Sequence, residues 1–272
     1  MKTKTLLHKF LLFTIVLTLF SFIHSKAMAS IIKEENVTYT AQGVTLKGFI
    51  AYDETIRGKR PVVLVVHEWW GLNDYTKMRA RKLAELGYFA MAVDMYGDGK
   101  IAADPKAAQE FATPFYKDPV LAKTRLDAAI GRIREFPQAD LDNIAAIGYC
   151  FGGSVVLNCA KLGAPLKGVV SFHGGLAGVQ ADRKLLKAKI LVCHGGSDKF
   201  VSQHDIDAFK HQLDSIGATY TFRSYANATH AFTNPEATAI GKKFNMPIEY
   251  NEAADKDSWN DMKTFLAALF RK

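Results

Sequence analysis

Residues 144–157 have the sequence IAAIGYCFGGSVVL. The apolar run at 144–147 is typical of a buried strand, and the segment from Ser154 to Leu162 is compatible with a helix. Between them, Cys150 stands in the pattern G-x-C-x-G, the cysteine form of a turn that exposes a nucleophile above the carboxyl edge of a sheet. Glycines suit this turn because the strand and helix backbones approach where a β-carbon would clash.

The position of Cys150 also favours its chemistry. At the first turn of a helix, unpaired N–H groups and the positive end of the helix dipole stabilise a thiolate. So short a pattern is equally compatible with an ordinary buried cysteine beside a glycine-rich turn. The residues at the other strand ends must distinguish these two interpretations.

The amino-terminal residues have the pattern of an export signal. Lysines stand before an apolar run at 10–23, and Ala-Met-Ala at 27–29 forms a small-residue cleavage site. We expect a signal peptide over residues 1–29 that is removed after Ala29, so that the protein is secreted or periplasmic. A retained anchor is the alternative, but the apolar run is short for a membrane span.

Length and charge limit the class of protein. Cleavage would remove four lysines and no acidic residue, so the net charge would fall from +8 to 8 − 4 = +4. The remaining basic excess gives no reason to expect a nucleic-acid partner. Residues 30–272 are enough for a single α/β domain with a full core, and we expect that domain to leave the membrane after cleavage.

The cysteines and histidines do not have the spacing of a metal site. No C-x-x-C, H-x-x-x-H or H-E-x-x-H pattern occurs, so we expect no metal and no cofactor. The three cysteines, an odd number, leave at least one free thiol even in an oxidising compartment. We expect Cys159 and Cys193 to be small buried residues rather than a disulfide.

Strand and helix patterns alternate on both sides of the cysteine turn. Two strands at 36–40 and 46–51 predict an antiparallel hairpin at a sheet edge. Continuous apolar runs, typical of strands buried on both faces of a parallel sheet, occur at 61–66, 88–93, 168–172 and 190–193, before a last strand at 219–225. Helical patterns occupy 75–86, 105–116, 119–136, 204–216 and 253–270. The sequence therefore predicts an α/β fold with a mostly parallel central sheet flanked by helices.

An acid and a histidine follow two of the later strands. A nucleophile on this type of turn requires an acid in a later strand-end loop and then a histidine after the last strand. Asp198 and His230 occupy those two places. We predict a triad in which Cys150 attacks, His230 transfers the proton, and Asp198 orients the imidazole.

Other residues could in principle take these roles. His67, His173 and His194 also lie at strand ends, but their place in the chain suits them less, and we expect them to hydrogen-bond loop backbone. Asp182 and Asp205 are alternative acids, although neither directly follows a strand.

Acyl transfer also requires hydrogen-bond donors for a developing oxyanion. The backbone N–H groups of Phe151, after the nucleophile, and of Trp69, after the strand at 61–66, are the candidates. We expect Trp70, Tyr96 and Phe232 to line the substrate pocket.

These motifs together resemble the dienelactone hydrolase family of α/β-hydrolases. The likeness extends over nearly all of residues 30–272 and rests on VLVVHE at 63–68, DMYG at 94–97, GYCFGG at 148–153, GSD at 196–198 and THAF at 229–232. It implies an α/β-hydrolase fold and hydrolysis of a small carboxylic ester or lactone through an acyl-thioester. By the same resemblance, Glu68 would contact the Cys150 thiol at rest and keep it protonated until substrate displaces the carboxylate, because a nearby anion disfavours the thiolate. The alternative for Glu68 is an exposed loop carboxylate.

Two positions depart from the family. Members that cleave dienelactone hold the substrate carboxylate with two arginines, where this chain has Asp98 and Asn234. Neither can replace a bidentate cation clamp, so we expect a neutral ester, lactone or thioester as the substrate. The segment 233–254 is expected at the pocket rim, where its lysines could supply a cation.

Two other classes remain compatible with the sequence. A small-molecule binding protein could have kept this fold and lost turnover, since fold does not fix function. A peptidase is the other class, but the chain lacks an additional domain that would restrict access to peptides. The complete triad favours a hydrolase.

Overall fold

The computed structural model describes residues 30–271, so the predicted signal peptide lies outside the described residues. Eight strands follow one another as β1 (Ile32–Ala41), β2 (Val44–Asp53), β3 (Arg60–Val66), β4 (Phe89–Val93), β5 (Ala139–Tyr149), β6 (Gly168–Phe172), β7 (Lys189–Gly195) and β8 (Tyr220–Tyr225). The helices of the described range are α1 (Asp74–Glu85), α2 (Pro105–Lys117), α3 (Pro119–Ile133), α4 (Phe151–Lys161), α5 (Gln203–Ser215), α6 (Ala237–Phe244) and α7 (Glu252–Leu269).

All eight strands form one sheet in the order β1-β2-β4-β3-β5-β6-β7-β8. β1 and β2 form the predicted antiparallel hairpin at the edge, and β2 also runs antiparallel to β4. Every other pairing is parallel. The carboxyl ends of β3, β5, β6, β7 and β8 therefore meet at one edge of the sheet, which is where open α/β sheets bind ligands. The predicted α/β fold with a mostly parallel sheet is confirmed.

Each face of the sheet buries its own apolar layer. In β5, Ala146 packs into the layer formed with α2, α3, α4 and α5, whereas Ala145 and Ile147 pack into the layer formed with α1 and α7. Side chains alternate between the two faces of a strand. Because helices cover both faces, each position must be apolar, and this produces the continuous apolar runs of the sequence.

Helix α6 was not predicted. Its N-cap residue, Glu236, forms no side-chain capping hydrogen bond, so the usual signal for a helix start is missing. The helix ends at Asn245, whose φ of 52° is left-handed. No helix among residues 30–271 combines the length and the apolar character needed to cross a membrane.

Candidate active site

Cys150 lies on the strained turn between β5 and α4. Its φ of 53° and ψ of −114° are unusual for a residue with a side chain. A β-carbon on Gly148 would overlap the backbone of Gly152, and one on Gly152 would overlap the carbonyl oxygen of Val66. The glycines of the motif are thus required by the close approach of β5, α4 and β3, and this approach lifts Cys150 above the sheet edge.

The structure brings the three predicted triad residues together. His230 Nε2 lies 3.0 Å from Cys150 Sγ, and His230 Nδ1 lies 2.8 Å from Asp198 Oδ2. The second carboxylate oxygen of Asp198 accepts a 2.8 Å hydrogen bond from the N–H of Phe200, which fixes the orientation of the carboxylate. The side chain of Asp198 is fully buried and that of His230 is 12% exposed. This is the geometry of a nucleophile, a base and an orienting acid.

The electrostatics of this group favour a charged imidazole. Burial by itself disfavours the imidazolium, but the negative charge of Cys150 and the hydrogen bond with Asp198 outweigh it and raise the pKa of His230 to about 10. A protonated imidazole next to a thiol is a positive charge that favours the thiolate form of such a group.

Glu68 is buried rather than exposed, at 2% exposure, and it lies on the wall of the same cavity as Cys150. The Glu68 carboxylate accepts a 2.6 Å hydrogen bond from the amide of Asn234, and the thiol of Cys150 contacts His230. The expected contact of Glu68 with the thiol stays a prediction. Burial raises the pKa of Glu68 to about 7, against the opposing effect of the Asn234 hydrogen bond.

The three other strand-end histidines differ from one another. His67 bonds backbone at both ring nitrogens, through Nδ1 with the carbonyl of Glu68 and through Nε2 with the N–H of Met95. His173 accepts from the N–H of Cys150. His194 was expected to bond loop backbone, but its buried Nδ1 has no partner among the described residues.

The candidate oxyanion donors, Phe151 and Trp69, lie on the cavity that contains Cys150. The N–H groups of Gly153 and Ser154 donate to the carbonyl of Cys150. Phe151 precedes them at the first position of α4, where the N–H of a helix has no partner within the helix. Both Phe151 and Trp69 line the cavity that contains Cys150. Their role as oxyanion donors stays a prediction.

A cavity of about 360 Å³ opens beside Cys150 and His230. Its walls are mainly apolar and aromatic, and they include Trp70 as predicted. Sequence reasoning missed several wall residues that come from α2 and from loops: Gln109, Tyr116, Phe200, Val201, Met246 and Ile248. Of the described residues that line the cavity, none is Lys or Arg, so the lysines of segment 233–254 supply no cation to it.

Two predicted pocket residues do not line this cavity. Tyr96 is 7% exposed, its hydroxyl donates a 2.9 Å hydrogen bond to the carbonyl of Trp69, and its ring packs on Phe151. It therefore supports the wall from behind. Phe232 is fully buried against His173 and belongs to the core, because the turn after His230 points its side chain into the sheet layer.

The other two cysteines are buried in the core, and the two alternative acids form local hydrogen bonds. Cys159 and Cys193 are free and fully buried, as expected. Among residues 30–271, no three His, Cys, Asp or Glu side chains are grouped so as to hold a metal ion. Asp205, one alternative acid, caps α5 through a reciprocal pair of hydrogen bonds with Ser202, and Asp182 accepts from the N–H of Lys184.

Comparison with known proteins identifies the family. The family model described as "Dienelactone hydrolase family" matches residues 46–270. The chain is 33% identical to a solved structure titled a dienelactone hydrolase-like promiscuous phosphotriesterase from metagenomic libraries, with a TM-score of 0.84 and coverage of 89% of this chain and 100% of that one. A Methylorubrum extorquens protein provisionally named carboxymethylenebutenolidase is 31% identical over 189 residues, which are 64% of each chain.

A more distant structure shares the fold alone. An α/β-hydrolase enzyme from a deep-sea metagenome library is 15% identical, with a TM-score of 0.63 and coverage of 87% of this chain and 98% of that one. The turn that carries Cys150, the sheet order and the family match agree with one another. The protein is accordingly a hydrolase with the α/β-hydrolase fold, and it belongs to the dienelactone hydrolase family.

Proposed function

We propose that this protein hydrolyses small neutral carboxylic esters or lactones with Cys150 as the nucleophile, His230 as the acid and base, and Asp198 as the orienting acid. The observation that carries the proposal is the continuous contact from Sγ to Nε2, 3.0 Å, and from Nδ1 to Oδ2, 2.8 Å, at the wall of a cavity. A base next to the nucleophile, itself oriented by a third group, is an arrangement that activates a nucleophile at neutral pH.

The proposed reaction has two stages. The sulfur of Cys150 attacks the carbonyl carbon, and the N–H groups of Phe151 and Trp69 stabilise the oxyanion. As the C–O bond breaks, His230 gives its proton to the leaving alkoxide, which leaves an acyl-thioester on Cys150. His230 then takes a proton from water, and the hydroxide so formed attacks the thioester carbonyl. The C–S bond breaks, the carboxylic acid leaves, and the sulfur is again beside a protonated His230, as before the attack.

The cavity supports a substrate without a negative charge. Its apolar walls contain no described Lys or Arg, and Glu68 contributes a carboxylate. Of the two positions that hold arginine in dienelactone-cleaving members, Asn234 bonds Glu68 and Asp98 is exposed. Apart from His230 itself, a substrate carboxylate would meet no cationic side chain among the described residues of the cavity, and it would lie near the carboxyl group of Glu68. Its desolvation would therefore be poorly compensated.

The test is hydrolysis of p-nitrophenyl acetate by the purified protein. Cys150→Ala and His230→Ala should each abolish turnover above the solution background, while His204→Ala serves as the matched histidine control because that side chain is 90% exposed. A paired comparison of p-nitrophenyl acetate with p-nitrophenyl hemisuccinate examines the charge preference, and we expect the neutral ester to have the higher kcat/KM. Absence of turnover with every activated ester would favour a binding protein.

A second candidate substrate class is a neutral phosphotriester. It is favoured by the 33% identity, over 89% of this chain, to a structure titled a promiscuous phosphotriesterase, together with the mainly apolar walls of the cavity. Release of p-nitrophenol from diethyl p-nitrophenyl phosphate, lost in Cys150→Ala, would support this activity at the same site.

We also propose that the protein acts outside the cytosol after removal of residues 1–29. The proposal rests on the lysines, the apolar run and the Ala-Met-Ala site of the sequence. Amino-terminal sequencing of the protein from a bacterial periplasmic fraction should begin at Ser30. A start at Met1 in the membrane fraction would instead support a retained anchor.

A further inference from the structure

His173 is a buried histidine at the end of β6 that the proposed reaction does not use. The side chain is fully buried, and its backbone is held by a 2.8 Å hydrogen bond from its N–H to the carbonyl of Cys193. Its ring lies edge-on to the ring of His230, with centroids 5.2 Å apart. It therefore lies between the nucleophile turn and the base.

The hydrogen bonds of His173 fix its tautomer. Nδ1 accepts a 3.1 Å hydrogen bond from the backbone N–H of Cys150, which also donates to the carbonyl of Phe172 at 3.0 Å. This nitrogen of His173 therefore holds no proton. Nε2 must then carry the proton of the neutral ring and donate it to Thr233 Oγ1 at 2.7 Å. Burial, reinforced by the charge of His230, places the pKa of His173 well below its usual value, and the ring is accordingly neutral.

The far end of this contact is anchored in a buried polar chain. Thr233 Oγ1 lies 2.7 Å from the hydroxyl of Tyr75, which accepts from Arg79 Nε at 3.3 Å. Arg79 also donates to the carbonyl of Thr233 at 2.6 Å and pairs with Asp255 at 2.5 Å. Each of these groups is buried. Thr233 is thus held at its hydroxyl by Tyr75 and at its carbonyl by Arg79, both from α1. Asp255 of α7 fixes Arg79 in turn, so Thr233 is a rigid acceptor for His173.

We propose that His173 is a positioning residue that sets the distance between Cys150 Sγ and His230 Nε2. One ring nitrogen binds the backbone of Cys150 at its strained φ of 53°, and the other binds Thr233, three residues after His230. The imidazole is a rigid spacer between the two loops that carry the nucleophile and the base. The inference rests on the proposed function, because only there does this distance matter for turnover.

The variants His173→Asn and His173→Gln can separate the hydrogen bond with Cys150 from the hydrogen bond with Thr233. In His173→Asn, the amide oxygen occupies the place of Nδ1 and can still accept from Cys150, whereas the contact with Thr233 is lost. In His173→Gln, the amide nitrogen reaches the place of Nε2 and can still donate to Thr233, whereas the Cys150 contact is lost. His173→Phe keeps the ring and loses both hydrogen bonds.

The readout is the rate at which iodoacetamide alkylates Cys150 at neutral pH, identified on its peptide by mass spectrometry. This rate depends on the thiolate that His230 stabilises and requires no ester turnover, so it tests the spacer even if the protein cleaves no ester. We expect a fall of roughly tenfold or more in His173→Phe, with Asn and Gln each between it and the wild type, since displacements near 1 Å cost about that much or more in such sites. With an ester substrate, kcat should fall in the same order and KM should change little.

A second pair of variants, at Thr233, tests the proposal even if the His173 variants do not fold. Thr233→Val removes the acceptor for Nε2 at nearly constant volume, and Thr233→Ser retains it as the matched control. We expect Thr233→Val to lower the alkylation rate and Thr233→Ser to leave it near the wild-type value, with melting temperature and near-UV circular dichroism recorded for each. An unchanged alkylation rate in folded Thr233→Val or His173→Phe would overturn the proposal.

Discussion

Asn234 donates a 2.6 Å hydrogen bond to the carboxylate of Glu68, although the two residues are 166 positions apart in the chain. Asn234 occupies one of the two positions at which, by the family resemblance, dienelactone-cleaving members have an arginine that holds the substrate carboxylate. In this protein the same position binds an acidic side chain of the protein itself. Glu68 is thereby directed toward Asn234, and the thiol of Cys150 contacts His230 instead.

Replacement of Asn234 by Ala should therefore destabilise the protein in a pH-dependent manner. The variant leaves a buried carboxylate without its donor, which costs about 1–3 kcal/mol or more when the group is charged. Because the pKa of Glu68 is about 7, we expect a larger loss of unfolding free energy at pH 8 than at pH 5. Urea unfolding at both pH values measures this difference. In the double variant with Glu68→Gln the pH-dependent part should vanish, and an equal loss at both pH values in the single variant would contradict the pairing.

Glu68→Gln should change how stability depends on pH. Burial raises the pKa of Glu68 from 4.5 to about 7, so the folded state retains a proton that the unfolded state releases between those values. The stabilisation is therefore present at low pH and is lost as the pH rises through about 7. The Gln variant lacks this loss, and at pH 8 it should gain up to about 3 kcal/mol relative to the wild type, compared with pH 4.5. If the unfolding free energies of the two proteins changed in parallel between pH 4.5 and pH 8, Glu68 would have an ordinary pKa.

Asp198→Asn should impair catalysis with little change in structure. The N–H of Phe200 would retain the amide oxygen, which turns the amide NH₂ toward His230 Nδ1 and forces the ring proton onto Nε2, beside the thiol. We expect kcat to fall by about 10³-fold or more while KM stays within a few fold. Asp205→Asn is the control, because Asp205 was one of the two alternative acids and its side chain caps α5. A comparable loss in the control, or a kcat for Asp198→Asn within tenfold of the wild type, would reject the assigned role.

The two glycines Gly148 and Gly131 should respond in opposite directions to alanine. A β-carbon on Gly148 would overlap the backbone of Gly152, so Gly148→Ala should abolish activity and lower the melting temperature strongly. A β-carbon on Gly131, inside α3, meets no atom within 4 Å. Gly131→Ala should therefore stabilise the protein by about 0.5–1 kcal/mol through helix propensity. Thermal unfolding of both variants decides, and a tolerated Gly148→Ala would show that the turn is not as tight as described.

The sequence predicted two kinds of feature: elements that follow from the spacing of apolar residues, and site residues that follow from the order of strands and loops in the chain. The strands come from apolar runs, and Cys150, Asp198 and His230 each follow a strand whose carboxyl end lies at the same sheet edge. Parallel pairing makes such residues neighbours without any knowledge of loop shape. For this reason the convergence of these three side chains could be anticipated, although their roles remain to be tested.

The parts that could not be predicted depend on where individual loops point their side chains. Tyr96 and Phe232 were expected in the cavity, but they turn away from it into the surrounding packing, whereas Tyr116 and Ile248 reach it from a helix and a loop. A residue at a strand end can face either side, since the loop backbone leaves the regular alternation. The pairing of Asn234 with Glu68 likewise joins two loops. Its only sequence signal was the replacement of an arginine by an amide.

The most direct test of the central claim is to trap the acyl group on the enzyme. The mature protein is mixed with p-nitrophenyl acetate and quenched with acid before turnover is complete, and its peptides are then analysed by mass spectrometry. We predict one acetyl group, on the peptide that contains Cys150, formed at the rate of the p-nitrophenol burst and absent in Cys150→Ala. Hydrolysis of the ester at full rate with no acetyl group on Cys150, or with the group on another residue, would contradict the central claim.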